Sequence, residues 1–292
     1  MDETAAARAT AALIALLDVE QQGPDLFIGP RKPGGVGRVF GGQVLAQALV
    51  AAQRSVDPAR EPHSLHAYFL RGASEDHEIA FRIERDFDGG SMSNRRVIAS
   101  QLGRPIFNLT ASFQTREGGA EHRDTMPAVP PPDALVNEAT IAIRPEYMGQ
   151  PGIRSRQNVA PAVEIRQASL IDTASVLRDR PESFCWIRVK ADLGADPALH
   201  RAILTYISDL VLLGTAMLPH MAVLAASKIT AASVDHAIWF HDEFRADEWM
   251  LYATDSPWAG HARGFTRGQV YRRDGRLVAS IAQEGLMRMT PK

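Results

Sequence analysis

Only one cysteine occurs in the 292 residues, Cys185. No internal disulfide can form, and secretion gains no support from composition. An excess of one charge is also missing: 32 Lys and Arg stand against 34 Asp and Glu, a net charge of −2 with the histidines neutral. Nucleic-acid binders usually carry a basic face, so no nucleic-acid partner is expected. Apolar runs such as LVLLGTAML (210–218) fall short of the roughly 20 residues that span a bilayer, so no membrane insertion is expected. Neither H-E-x-x-H nor C-x-x-C spacing occurs, so no metal and no cofactor is expected. There is no G-x-S-x-G elbow, and Cys185 lies in strand-like SFCWIRV. A nucleophile–histidine triad therefore has no obvious nucleophile. Met1-Asp2-Glu3 has the wrong sign for a secretory leader, and Thr290-Pro291-Lys292 is not a peroxisomal tripeptide. A cytoplasmic protein is the expectation.

Hydrophobic residues make up 45% and charged residues 23%, as in ordinary globular chains. The length suits one large domain or two of common size. Residues 4–17, rich in alanine and leucine, read as a short helix. DLFIG (25–29) reads as a short strand. In VFGGQVLAQALVAAQ (39–53), Val44, Leu45, Ala48, Leu49 and Ala52 make one apolar helix face. Gly41 and Gly42 precede that face. They permit either approach to a ligand or tight packing of the helix on a sheet, and the second reading is preferred.

After Pro62 the period changes to two. HSLHAYFL (63–70), EIAFRIERDF (78–87), RRVIASQ (95–101) and PIFNLTASFQ (105–114) read as strands, with turns at Asp88-Gly89-Gly90 and around Gly103. A helix followed by four antiparallel strands is an α+β unit whose sheet can curl around the helix. Prolines 127, 130, 131 and 132 then mark a linker. The expected division is a first unit at 1–117, a proline-rich linker at 118–160, and a second unit at 161–292.

The second unit repeats the first. VEIRQ (163–167) and SFCWIRVKAD (183–192) are strand-like, and RAILTYISDLVLLGTAML (201–218) is helical. SVDHAIWFH (233–241), EWMLYA (248–253), ARGFTRGQVYR (262–272) and RLVASIAQEGLM (276–287) follow as strands, with Asp274-Gly275 a hairpin turn. HAYF (66–69) matches HAIWF (236–240) at an offset of 236 − 66 = 170. Ile106-Phe107 and Leu277-Val278 each follow a glycine turn, at 277 − 106 = 171. A shared shift points to internal duplication.

Three polar residues sit where aliphatics would be unremarkable: Asp209, Ser233 and Gln283. An unpartnered buried polar group costs roughly 1–3 kcal/mol, so they are expected to satisfy one another or a shared water. Each has a plainer reading too. Asp209 suits a helix N-cap, and Ser233 an ordinary strand start. Gln283 has the parity of Leu277, Ala279 and Ile281, which points it to the covered face. Among the histidines, His63, His66, His236 and His241 offer no nucleophile partner. His66 and His236 occupy matching places in the repeat and read as structural.

FGGQVLAQAL, HSLHAYFL, RRVIASQ, PIFNLTASFQ, TMPAVPPPD, VDHAIWFH, EWMLY, ARGF and LVASIAQEGLMR occur in the order found in the type II acyl-CoA thioesterases, which the chain resembles along nearly its whole length. The resemblance is weakest over 140–200. It implies an α+β double hotdog, two tandem units each with a long helix wrapped by an antiparallel sheet. It also implies a hydrolase of lipid metabolism that splits medium- to long-chain acyl-CoA into fatty acid and CoA without metal or cofactor. Two fused hotdogs already mimic the usual hotdog dimer; further homo-oligomerisation, as a dimer of chains or higher, is a further implication.

The family's catalytic aspartate matches Asp209 and its strand glutamine matches Gln283. Its hydroxyl residue matches Ser233, where the family pattern has threonine. Serine keeps the hydroxyl but loses the methyl that restricts χ1. Thioester hydrolysis needs an activated water, a proton acceptor and oxyanion donors. Asp209 is the ionisable member and the candidate base; Ser233 and Gln283 orient the water. Backbone N–H groups at a helix start near Asp209 or Leu210 are candidate oxyanion donors, and direct attack by Asp209 through an anhydride stays open. Arg95–Arg96 and Arg272–Arg273 are candidates to meet CoA phosphates, but solvated charge at strand ends is the commoner explanation and the preferred reading. A hotdog hydratase or dehydratase would need a substrate-facing Asp/His pair, and a non-catalytic acyl-CoA-binding protein would not need all three polar positions.

Overall fold

The computed structural model describes residues 3–137, 160–168, 181–220 and 227–291. Two helices too apolar to meet water lie at its centre, packed against each other. The first, α2 (Gly41–Gln53), buries ten of its 13 residues rather than a single face. Sheet on one side and the second core helix on the other leave it no solvent side, which is why Gln43 and Gln47 are buried with the aliphatics. The Gln47 amide donates to Leu16 O at 2.7 Å and Pro30 O at 3.1 Å, so these polar groups hold α1 (Glu3–Leu17) and the loop at Pro30 onto α2.

The second core helix, α3 (Pro197–Ser208), starts with the Asp196 side chain accepting the Ala198 N–H and proline at its first turn. It was expected to run to residue 218. It stops at Asp209, and a short α4 (Leu212–Met217) begins after a turn. Taken whole, Pro197–His220 has mean hydropathy 1.6 over its most apolar window, enough by composition and length to cross a membrane. Within this protein 61% of that window is buried, as fits a core helix.

Around these helices runs one 13-stranded sheet, antiparallel at each pairing. In chain order the strands are β1 (Glu20–Gly23), β2 (Leu26–Gly29), β3 (Arg60–Phe69), β4 (Ile79–Asp88), β5 (Met92–Gln101), β6 (Arg104–Thr115), β7 (Val163–Gln167), β8 (Glu182–Val189), β9 (Ser227–Ser233), β10 (Asp235–Phe240), β11 (Met250–Gly260), β12 (Arg263–Arg272) and β13 (Leu277–Pro291). Strands β2-β4-β5-β6-β3 belong to the first hotdog and β10-β13-β12-β11-β8-β7 to the second; the halves join where β3 pairs with β10. In β4, Ile79, Phe81 and Ile83 are buried as their alternation requires. Strand β1 lacks that alternation, and neither it nor β9 is among the strands read from the sequence.

The seam corrects the reading of the histidines. His66 pairs with Ala237 and Ala67 with His236. The buried pairs are Leu65 with Ile238 and Ala67 with His236, so the offset that preserves the buried face is 236 − 65 = 238 − 67 = 171. The sequence match at 170 sets His66, which is exposed, against His236, which is buried. These histidines are not structural equivalents: one step along a strand exchanges its faces. For β6 and β13 the face-preserving offset is 281 − 109 = 172.

The proline-rich stretch is more than a spacer where it is described, residues 118–137; residues 138–159 of the expected linker lie outside the described residues. Met126, Val129 and Leu135 pack on a cluster of Trp186, Trp249, Leu251, Ala253 and Tyr271. Trp186 Nε1 donates to Pro130 O at 2.9 Å. The stretch therefore covers the outer face of the second hotdog.

Candidate active site

Asp209 is not an N-cap of its own helix. It is the C-cap of α3, with φ −83° and ψ 0°, at the negative end of that helix dipole, where a carboxylate is disfavoured. Its partners come from elsewhere. Ser233, the last residue of β9 rather than the first of β10, donates from Oγ to Asp209 Oδ1 at 2.9 Å. Gln283, on the covered face of β13 and 1% exposed, donates from Nε2 to the same oxygen at 2.6 Å. The Gly42 backbone N–H is the third donor. The trio therefore assembles directly around the carboxylate.

The glycines ahead of α2 explain how a residue from the other half reaches this point. Phe40, the N-cap of α2, gives no side-chain cap, and the Asp209 carboxylate takes that role for the helix of the other hotdog. A methyl on Gly41 would stand 2.6 Å from Asp209 Oδ2, and one on Gly42 would stand 2.4 Å from Tyr206 O. The close approach is thus to the second core helix and to Asp209, not to the sheet as expected. It also corrects the oxyanion assignment: the Leu210 N–H is spent on Ile207 O at 2.9 Å, and the helix N-terminus at this site belongs to α2.

The Asp209 side chain is 4% exposed. Burial pushes its carboxyl up from 3.8 to about 6, against the hydrogen bonds from Gln283, Ser233 and Gly42, which pull it down. A carboxylate of that strength is poised to take a proton near neutrality.

The duplication is asymmetric here. At the face-preserving offsets, Ser233 corresponds to Pro62 (233 − 171) and Gln283 to Ala111 (283 − 172). Register agrees, since Ser233 pairs with Gly285 as Pro62 pairs with Phe113. Neither counterpart can donate from a side chain. Arg95, the counterpart of Thr266 (266 − 171), fills that end of the first hotdog, buried and bonded to Ser55 Oγ at 3.1 Å and to Asp88 at 2.8 and 2.9 Å.

The other candidates fall elsewhere. His63 Nε2 meets Ser112 Oγ, and His241 Nε2 meets Ser280 Oγ, each at 2.8 Å; the His66 ring stands edge-on to Trp239. His63 and His241 line a cavity of about 670 Å³ at the far end of the β3–β10 seam, which no member of the trio lines. There Arg201 pairs with Glu61 at 2.7 Å and Arg116 with Asp242 at 3.3 Å. Of the arginines offered to CoA phosphates, Arg96 pairs with Asp86, Arg272 with Asp274, Arg273 with Asp133, and Arg95 is internal. Sequence reasoning set His236 aside, yet the structure puts its Nδ1 3.9 Å from Asp209 Oδ1. Its position next to Asp235 in a β strand gave no such signal.

Residues 30–114 match the family model described as acyl-CoA thioesterase N-terminal domain, and residues 178–286 match that described as acyl-CoA thioesterase. The chain is 38% identical over 287 residues to acyl-coenzyme A thioesterase 8 of Homo sapiens, covering 95% of this chain and 89% of that protein. It is 33% identical over 278 residues to acyl-CoA thioesterase 2 of Haemophilus influenzae, covering 95% and 97%. Among solved structures, the acyl-CoA thioesterase II TesB2 from Mycobacterium marinum superposes with a TM-score of 0.80 at 39% identity, covering 94% of this chain and 98% of that one.

Proposed function

Because this chain belongs to the acyl-CoA thioesterase family and so hydrolyses acyl-CoA thioesters, we propose that Asp209 is the general base of that hydrolysis, with Ser233 and Gln283 as its positioning donors. The observation that carries this is the arrangement at one buried carboxylate: Ser233 and Gln283 on Oδ1, the Gly42 N–H as third donor, and burial holding its proton affinity near neutrality. A water in contact with the carboxylate gives it a proton and attacks the thioester carbonyl carbon. The tetrahedral oxyanion collapses, the C–S bond breaks, and Asp209 returns the proton to the CoA sulfur. Water, a proton acceptor and a leaving thiolate balance without a metal or cofactor.

Base action is favoured over anhydride formation. A carboxylate that is 4% exposed and already holds three donors admits a water more easily than an acyl carbonyl carbon. Single turnover in ¹⁸O-water tests the choice. Base action puts ¹⁸O into the first fatty acid released; an anhydride opened at its Asp209 carbonyl delivers unlabelled acid in the first turnover.

The hydratase reading fits less well. The Asp209–His236 pair exists, but the His236 side chain is 0% exposed and faces no substrate. The substrates proposed are medium- to long-chain acyl-CoAs, the setting proposed is the cytoplasm, and self-association beyond one double hotdog is proposed from the family likeness. Free-thiol release across an acyl-CoA panel tests the first, and light scattering the last. Loss of turnover on exhaustive chelation, restored by a divalent metal, would sink the metal-free mechanism.

A further inference from the structure

His236 is buried on β10, on the same side as Asp209, and has one filled nitrogen and one unfilled. Nε2 lies 2.9 Å from Ser208 Oγ. Thr205 O, 2.8 Å from Ser208 Oγ, is a carbonyl that can only accept, so that contact uses the one proton of the hydroxyl. The oxygen can therefore only accept from the imidazole, which places the imidazole proton on Nε2. Nδ1 is then a bare lone pair. It is buried, has no hydrogen-bond partner among the described residues, and lies 3.9 Å from Asp209 Oδ1.

We propose that His236 is a positioning residue for Asp209: locked by Ser208 as the Nε2–H tautomer, it turns its Nδ1 lone pair toward the carboxylate and so strengthens Asp209 as a base. The inference rests on Asp209 being the base. A lone pair facing a carboxylate opposes its negative charge and favours the state in which Asp209 holds a proton. That state is formed as water is deprotonated, so the contact acts on the transition state more than on substrate binding. The opposite tautomer would aim an N–H at the carboxylate, stabilise the anion and weaken the base. Burial keeps the imidazole neutral by lowering its affinity for a second proton to about 3.

The other titratable groups on the packed elements do not substitute for it. Tyr252 of β11 donates to Ser208 O at 3.0 Å, and burial holds both Tyr252 and Tyr206 of α3 in their neutral forms. Cys185 of β8 lies near Tyr252. Asp235 accepts the Glu284 N–H at 2.6 Å, with His66 of β3 and Glu284 of β13 as its titratable neighbours. Glu75 acts on Tyr206. Helix α2 contributes no charged residue.

The test has two readouts. ¹⁵N NMR of histidine-labelled protein, with and without His236→Gln to assign the signal, reports the tautomer without any assay of turnover. A neutral ring with its proton on Nε2 between pH 5 and 8 is the expected result; a proton on Nδ1, or an imidazolium, overturns the proposal. Ser208→Ala removes the lock, and the proton can move to Nδ1. The acid limb of its kcat/KM profile should then move down by about half a unit, about threefold in proton affinity, with lower kcat and unchanged KM. An unchanged acid limb with only a lower Tm would make the pair structural and overturn the role. Failure of the base reading itself shows separately, as an Asp209→Asn variant that keeps its turnover.

Discussion

Asp209 of the second hotdog accepts the backbone N–H of Gly42 from the first. One carboxylate thus closes the N-terminus of α2, holds the two hotdogs in contact and supplies the proposed base. Placing it at the positive end of α2 offsets part of the dipole cost that its own helix end imposes. The site therefore depends on both repeats, although all three side chains of the trio come from one.

Asp209→Asn keeps the shape and removes the basicity. A positioned general base contributes roughly 10²–10⁴-fold, and kcat in a free-thiol assay should fall by about that factor while far-UV dichroism is unchanged. Turnover close to wild type would leave the carboxylate a cap and nothing more.

The same residue links activity to stability in opposite directions. With Asp209 as the proposed base, kcat/KM should rise with pH through about 6. Stability runs the other way. Because the folded value is raised from 3.8 to about 6, the folded state favours the protonated form. Its stabilising contribution is complete below the ordinary value and is lost as pH climbs through about 6, a swing of about 3 kcal/mol at most. Melting curves of wild type and Asp209→Asn at pH 4 and pH 7 should show the variant gaining on wild type as pH rises. A gap that stays constant would contradict burial as the cause of the shift.

Ser233 and Gln283 donate to Asp209 itself, so each lowers its proton affinity. Ser233→Ala and Gln283→Ala should each lose rate and move the acid limb of the pH profile to higher pH. Ser233→Thr keeps the donor and should remain active. If Ser233→Ala matches wild type in rate and profile, its hydroxyl is scaffold.

Gly41 and Gly42 separate the site from the fold. An added methyl at Gly42 meets the Tyr206 carbonyl and the Phe40 ring. Gly42→Ala should cost about 1–3 kcal/mol by overpacking, read in denaturant melts. At Gly41 the methyl meets the Asp209 carboxylate and the Phe69 ring, so Gly41→Ala should lose kcat out of proportion to its Tm. Normal activity in a stable Gly41→Ala protein would contradict the close approach described here.

Sequence alone determined the strands whose alternation marks a covered face, the two apolar core helices and the repeat, because local periodicity records which side of an element meets water. It also placed Gln283 on the covered face by parity. It did not determine where α3 ends: RAILTYISDLVLLGTAML is helical throughout by propensity, yet the helix stops at Asp209, where the side chain is held by Ser233, Gln283 and the Gly42 N–H. Nor did it determine the partners of that residue. The donors to Asp209 lie 24, 74 and 167 positions away, the last being 209 − 42. No local pattern records a contact made across the junction of two hotdogs. The offset of 170 joined His66 to His236 by letter, while strand pairing put one in solvent and the other beside Asp209. A strand reverses its faces at every residue, so identity in the sequence leaves the face undetermined until the register is set by the fold.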